Sequence, residues 1–119
     1  MTYTNKVELK GFVGADAAPK TLDGGKTVLN FSVATKIFWG QANARQERTE
    51  WHRVTAWDQI ATEAPVLTKG AYVHVIGTLR SREYDNGAGK VQTYDIIASI
   101  IEILPRESAT EAGSQEGGH

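Results

Sequence analysis

Apolar and polar residues alternate with a period of two over most of this chain, the spacing of strands with one buried and one solvated face. Residues 6–14 (Lys-Val-Glu-Leu-Lys-Gly-Phe-Val-Gly) run charged, apolar, charged, apolar before their glycines. Residues 28–38 are rich in β-branched and aromatic types and place Leu29, Phe31, Val33, Thr35 and Ile37 on one face. In residues 49–57, Trp51, Arg53, Thr55 and Trp57 share one face, and His52, Val54 and Ala56 the other. Residues 71–84 set Val73, Val75, Gly77 and Leu79 against Tyr72, His74, Ile76, Thr78, Arg80, Arg82 and Tyr84, and residues 91–104 form a last apolar strand.

The punctuation between these runs is equally legible. Asp23-Gly24-Gly25-Lys26 reads as a hairpin turn and residues 85–89 (Asp-Asn-Gly-Ala-Gly) as a hairpin tip. Residues 40–48 carry no apolar anchor and are expected to form a mobile polar loop. One helix is expected over residues 58–67, with Asp58 as N-cap and Ile60, Ala64 and Leu67 on one face, kept short and irregular by Pro65. Three strand regions, one short helix and a long hairpin predict an all-β chain. If the first strand bends at Gly11 or Gly14 to serve two sheets, five strands close into a Greek-key barrel of the OB type. The pattern alone leaves an SH3-like or other small barrel open.

The outward-facing set in residues 49–57 points to chemistry. A buried face favours Val, Ile or Leu, and desolvating a guanidinium there is costly. Two indoles flanking Arg53 fit an outward platform for a flat, charged ligand, and single-stranded nucleic acid is such a ligand. A strand tryptophan taken singly is more often a packing residue; the shared face with Arg53 favours the ligand reading for Trp51 and, less strongly, for Trp57.

Composition narrows the field. The 119 residues allow one domain with a modest core. The net charge is −1, but residues 1–104 hold 12 Lys+Arg against 11 Asp+Glu, while residues 105–119 hold one Arg against three Glu. Polyanion binding must therefore come from local patches and stacking, not a global basic field. Arg53, Arg80, Arg82, Lys6, Lys36, Lys10, Arg45 and Arg48 are candidate phosphate contacts, and for Lys10, Arg45 and Arg48 taken singly ordinary solvated charge is at least as good a reading. The chain has no cysteine, and its three histidines show no ligand spacing, so disulfides and thiolate sites are excluded and neither a metal nor a cofactor is expected. No transmembrane helix or signal peptide is expected, and a cytoplasmic location fits the absence of cysteine. His52 and Glu50 share a face, yet no nucleophile or second acid stands at a suggestive spacing, so no catalytic residue and no enzyme activity is expected. Gly24-Gly25-Lys26 lacks the spacing of a phosphate loop.

Asn5-Lys6-Val7-Glu8-Leu9-Lys10-Gly11 and Thr49-Glu50-Trp51-His52-Arg53-Val54 resemble the bacterial single-stranded DNA-binding protein family. So do Asn30-Phe31-Ser32-Val33-Ala34-Thr35, Lys69-Gly70-Ala71-Tyr72-Val73 and Gly77-Thr78-Leu79-Arg80-Ser81-Arg82. These segments come in the family's order and spacing and cover residues 3–104, so that together they are highly specific.

The resemblance implies an OB-fold domain over residues 1–104 that assembles as a homotetramer and binds single-stranded DNA without sequence preference. Its role would be to protect single strands in replication, recombination and repair, in the bacterial cytoplasm at the nucleoid. The family's four stacking aromatics correspond to Trp39, Trp51, Trp57 (usually phenylalanine) and Tyr84 (usually tryptophan, hence a smaller platform). His52 matches a histidine linked to the subunit interface. The departure is the end of the chain: residues 105–119 are expected to form a short disordered acidic tail. They lack the long linker and hydrophobic acidic tip through which the family recruits repair and replication enzymes, which puts such recruitment in doubt here. Two rival readings are a primosomal accessory OB-fold protein, which generally lacks this aromatic set, and an OB-fold module for protein interaction.

Overall fold

The structure, a computed structural model, describes residues 2–105. All but Pro105 of the expected tail lies outside the described residues. Strand β1 (Val7–Val13) leads through a two-residue β2 (Lys20–Thr21) to β3 (Thr27–Trp39) and β4 (Gln46–Trp57). A helix, α1 (Asp58–Glu63), then precedes the long hairpin of β5 (Tyr72–Asp85) and β6 (Lys90–Ile103). The strands follow the order β1-β5-β6-β4-β3-β2, and β1 also pairs with β3, which closes five strands into an OB-type barrel.

Closure depends on β1 serving two partners. It pairs with β5 from Val7↔Gly77 to Phe12↔Tyr72 and with β3 at Phe12↔Ala34 and Val13↔Val33. The crossing is tightest at Gly11, where any side-chain carbon would collide with the Ala34 carbonyl, so the bend expected at a glycine falls where a glycine is required. The inward positions of the alternation then meet: Leu29, Val33, Val54, Val73 and Val75 are each almost wholly buried. Each such side chain contributes about 1.5–3 kcal/mol relative to an exposed one.

The turn at 23–26 closes a hairpin, as expected: β2 pairs with Thr27 and Val28, and the Leu22 N–H donates to the Lys26 carbonyl at 2.6 Å. Other expectations need correction. The polar loop is shorter than 40–48, because Gln46, Glu47 and Arg48 pair with Trp39, Phe38 and Ile37. The β3–β4 ladder continues past the barrel, and the Arg45 guanidinium sits 4.9 Å over the Phe38 ring. The helix ends at Glu63, not Leu67. Pro65 disfavours helical geometry in the residue before it, and Ala64 is extended (φ −62°, ψ 144°). Leu67 is buried from the following segment, where it bridges Ala17. Asp58 makes no cap to its own helix; it takes a left-handed φ of 47°, and its Oδ1 accepts the Thr27 N–H at 3.2 Å, tying the helix start to β3.

Strand β6 breaks its own period. Pairing steps from Ile76↔Ile100 to Gly77↔Ala98, leaving Ser99 unopposed as a bulge whose hydroxyl donates to the Ile76 carbonyl at 3.0 Å. Inward positions therefore change from even (Ile96, Ala98) to odd (Ile101) across Ser99.

Candidate nucleic-acid interface

Side chains directly opposite each other in an antiparallel pair point the same way. The register Asn30↔Thr55, Ser32↔Arg53 and Ala34↔Trp51 thus gives one continuous outward face across β3 and β4. Trp51 is 61% exposed and Trp57 38%, and Arg53 projects into solvent. Thr55 shares their face but is buried, donating its hydroxyl proton to Asn30 Oδ1 at 2.9 Å. The tryptophans are thus separated by an arginine and by a small, internally satisfied pair that leaves the floor between them low.

Gly14 sets the pose of Trp51. A side-chain carbon there would stand 2.5 Å from Trp51 Cζ3 and 2.9 Å from Ser32 Oγ, so the indole lies against bare backbone. Two adjoining hollows flank this face. One, of about 700 Å³, is lined by Trp51, Arg53, Tyr94 and Asp95 among others. The second, of about 540 Å³, is lined by Lys20, Leu22, Trp57, Arg80 and Asp95 among others. They share Asn30, Thr55, Arg82 and Asp95, so the surface is one groove with an indole in each half.

The groove is cationic around a single acid. Arg82 Nη2 stands 3.3 Å from Asp95 Oδ2, and Arg53 Nε 4.0 Å from Asp95 Oδ1. Arg80 lies directly opposite Asp95 in the β5–β6 ladder and has no ion-pair partner among the described residues. Three guanidiniums against one carboxylate leave positive charge to spare for a ligand's phosphates.

The other expected site residues are placed less uniformly. Tyr84, half exposed, shares the strand face of Arg80 and Arg82 but lies farther along the hairpin, outside both hollows. Lys36 is on the Trp51 face beyond Ala34 and pairs with Glu47 at 3.7 Å. Lys6 lines neither hollow; it follows Asn5, whose side-chain amide bonds both the N–H and the carbonyl of Leu79 at 2.8 Å. Trp39 is half exposed but pairs with Gln46, which puts it on the opposite face of the β3–β4 ribbon from Trp51. His52 is half buried and its Nε2 lies 2.8 Å from the Thr35 hydroxyl. Glu50 turns to Arg48 at 2.9 Å.

Among the groove residues that the sequence did not single out are Lys20, Asn30, Tyr94 and Asp95. Asp95 had a signal, as a lone carboxylate in an otherwise apolar run (Ile96, Ile97, Ala98) next to a strand bearing two arginines. Among the described residues no cluster of His, Asp and Glu is set to hold a metal, and no helix is long and apolar enough to cross a membrane. His74 does meet two acids, Glu8 at 2.6 Å on Nε2 and Glu102 at 3.1 Å on Nδ1, but they sit on different ring nitrogens and do not converge on one point. The hydrogen bond to His74 holds the Glu8 carboxyl below the ordinary glutamate range.

Known proteins resemble this chain. Residues 4–104 match the model of the single-strand binding protein family. A single-stranded DNA-binding protein of Neisseria meningitidis is 38% identical over 113 residues, which cover 92% of this chain and 65% of that protein. One from Rickettsia conorii is 36% identical over 123 residues, covering 97% of this chain and 81% of its own length. The chain thus spans just under two thirds of the Neisseria relative. A solved structure of a Plasmodium falciparum SSB in complex with single-stranded DNA superposes with a TM-score of 0.75 at 32% identity, covering 88% of this chain and 98% of that one. With the barrel, the Trp-His-Arg strand and a match running from the start of β1 to the end of β6, the chain belongs to the single-strand binding protein family.

Proposed function

We propose that this protein binds single-stranded DNA without sequence preference and that residues 1–104 form the binding domain. The observation that carries the reading is the groove itself, with Trp51 and Trp57 exposed in its two halves and Arg53, Arg80 and Arg82 between them. Every base has a face that stacks on an indole, at about 1–3 kcal/mol per base, so such platforms bind without reading sequence. The arginines follow the phosphates, and Tyr84 and Lys36 extend the path beyond the groove. Lys6 and Trp39 act at its margins, Trp39 from the reverse face of the β3–β4 ribbon. The named relatives, which are single-stranded DNA-binding proteins, one of them solved with single-stranded DNA, support this reading.

In the same reading the protein is not an enzyme and acts in the bacterial cytoplasm, at the nucleoid. It covers single strands there during replication, recombination and repair. It assembles as a homotetramer, with His52 at a subunit contact, and tethering several grooves to one strand raises apparent affinity above that of a single domain. Titration with oligo(dT), followed by tryptophan fluorescence and by mass in solution, tests both parts. Strong quenching, with a tetramer that His52→Ala shifts to smaller species, is expected. Absence of quenching at low salt contradicts the DNA reading; a native monomer contradicts the assembly.

A further inference from the structure

Asp95 is out of place in a groove for a polyanion. It is 9% exposed, it lines both halves of the groove, and it stands among three arginines. A bare carboxylate at that position repels phosphate, so on charge alone the groove binds better without it. The geometry shows what it does instead. Its two oxygens reach guanidiniums on different strands, Arg82 on β5 and Arg53 on β4. Oδ1 is buried and has no hydrogen-bond partner among the described residues, and Arg53 Nε, 4.0 Å away on an exposed side chain, is the donor that a small rotation brings to it. Asparagine keeps the shape of Asp95 but not the charge that attracts both cations.

Resting on the single-stranded DNA reading above, we infer that Asp95 is a positioning residue of the interface: its buried carboxylate gathers Arg53 and Arg82 into the groove and fixes them where phosphates pass. The two effects of the carboxylate oppose each other, and ordering outweighs repulsion here. The charge is already matched by the surrounding arginines, so little of its field reaches a phosphate. Without it, three guanidiniums repel one another and scatter into solvent, and each must then be immobilised on binding. Ordering one long side chain costs about a fivefold loss in affinity.

Two measurements test the assignment. In the native chain, nitrogen relaxation at arginine Nε–H should show Arg82 more ordered than Arg80, which sits on the same face of the same strand without an ion pair among the described residues. Equal mobility overturns the proposal and needs no variant. In oligo(dT) titrations across NaCl concentrations, D95N should bind about fivefold more weakly, with a log–log salt slope shallower by up to about 0.7 per lost phosphate contact. D95E, which keeps the carboxylate, should stay close to native affinity. In an R53A/R82A background D95N should cost less than twofold, since both guanidiniums that it positions are then gone. Tighter binding by D95N with a steeper slope marks Asp95 as mere repulsive charge and overturns the inference. If the native chain fails to bind oligo(dT), the functional reading falls, while the arginine mobilities still decide the role of Asp95.

Discussion

In the groove over β4, β6 and β5, three arginines surround one buried acid; on the outward patch of β1, β5 and β6, two glutamates close on one histidine. Both places combine charge with aromatic or apolar neighbours, and Phe12 packs at a tilt against Tyr72 beside the second as Trp51 and Tyr94 flank the first. The difference lies in what remains available to a ligand. Around Asp95, Arg80 is unpaired among the described residues and two indoles are exposed. Around His74 both ring nitrogens are already engaged, and Lys10 lies directly across from it on β1, the strand that also carries Glu8. The first patch offers uncommitted charge and flat surface, and the second is a clamp across three strands. A charged, aromatic-rich surface becomes a candidate interface through what is left unpaired, not through its composition.

The largest expected effect breaks the first side of that comparison. Replacing Trp51 by Ala should cost about 1–3 kcal/mol of oligo(dT) affinity, roughly five- to over a hundredfold, and Trp57→Ala somewhat less given its lower exposure. Equilibrium titrations at fixed salt read both. Trp39→Ala should cost less than either, because Trp39 is on the reverse face of the ribbon. A loss equal to that of Trp51→Ala would mean the strand wraps around the β3–β4 ribbon.

A subtler change keeps every aromatic and every charge. Gly14→Ala puts a methyl group against Trp51 Cζ3 and should tilt the indole, lowering affinity several-fold with little change in thermal stability. An altered Trp51 emission maximum in the free protein would accompany it. Unchanged emission and affinity would show that the indole pose is not set by β1.

The smallest effect concerns the His74 clamp. Since the folded-state pKa of Glu8 is depressed, its contribution is present above the ordinary glutamate range and lost as pH falls through the lower, folded value. Acid unfolding curves of the native chain and Glu8→Gln should therefore converge at the acidic end and separate slightly towards neutrality, with the native chain more stable. DNA binding at neutral pH should be unchanged in this variant, which separates the clamp from the groove.

The barrel and half of the groove were legible in the sequence because each rests on a period of two. That period alone puts Trp51, Arg53 and Trp57 together and sends Val54 and Ala56 inward. What stayed hidden depends on pairing between distant segments. Thr55 shares the outward parity yet is buried, because its partner Asn30 lies on the neighbouring strand. Trp39 separates from Trp51 only once the β3–β4 register is known. The bulge at Ser99 reverses the parity of β6, so no single alternation over residues 91–104 describes its faces. Asp95 reads as an isolated acid until β6 is laid between β4 and β5, where it becomes the centre of the arginine cluster.

The central claim is that bases stack on the β4 face, and a chain with Trp51 as its sole tryptophan tests it most directly. With Trp39 and Trp57 changed to Phe, aromatic surface is retained and fluorescence reports on one indole. Oligo(dT) added at low salt should quench Trp51 emission strongly and saturably, and added NaCl should reverse it. Binding detected by another method with Trp51 emission unchanged would contradict the account, because DNA would then be held somewhere other than on this face.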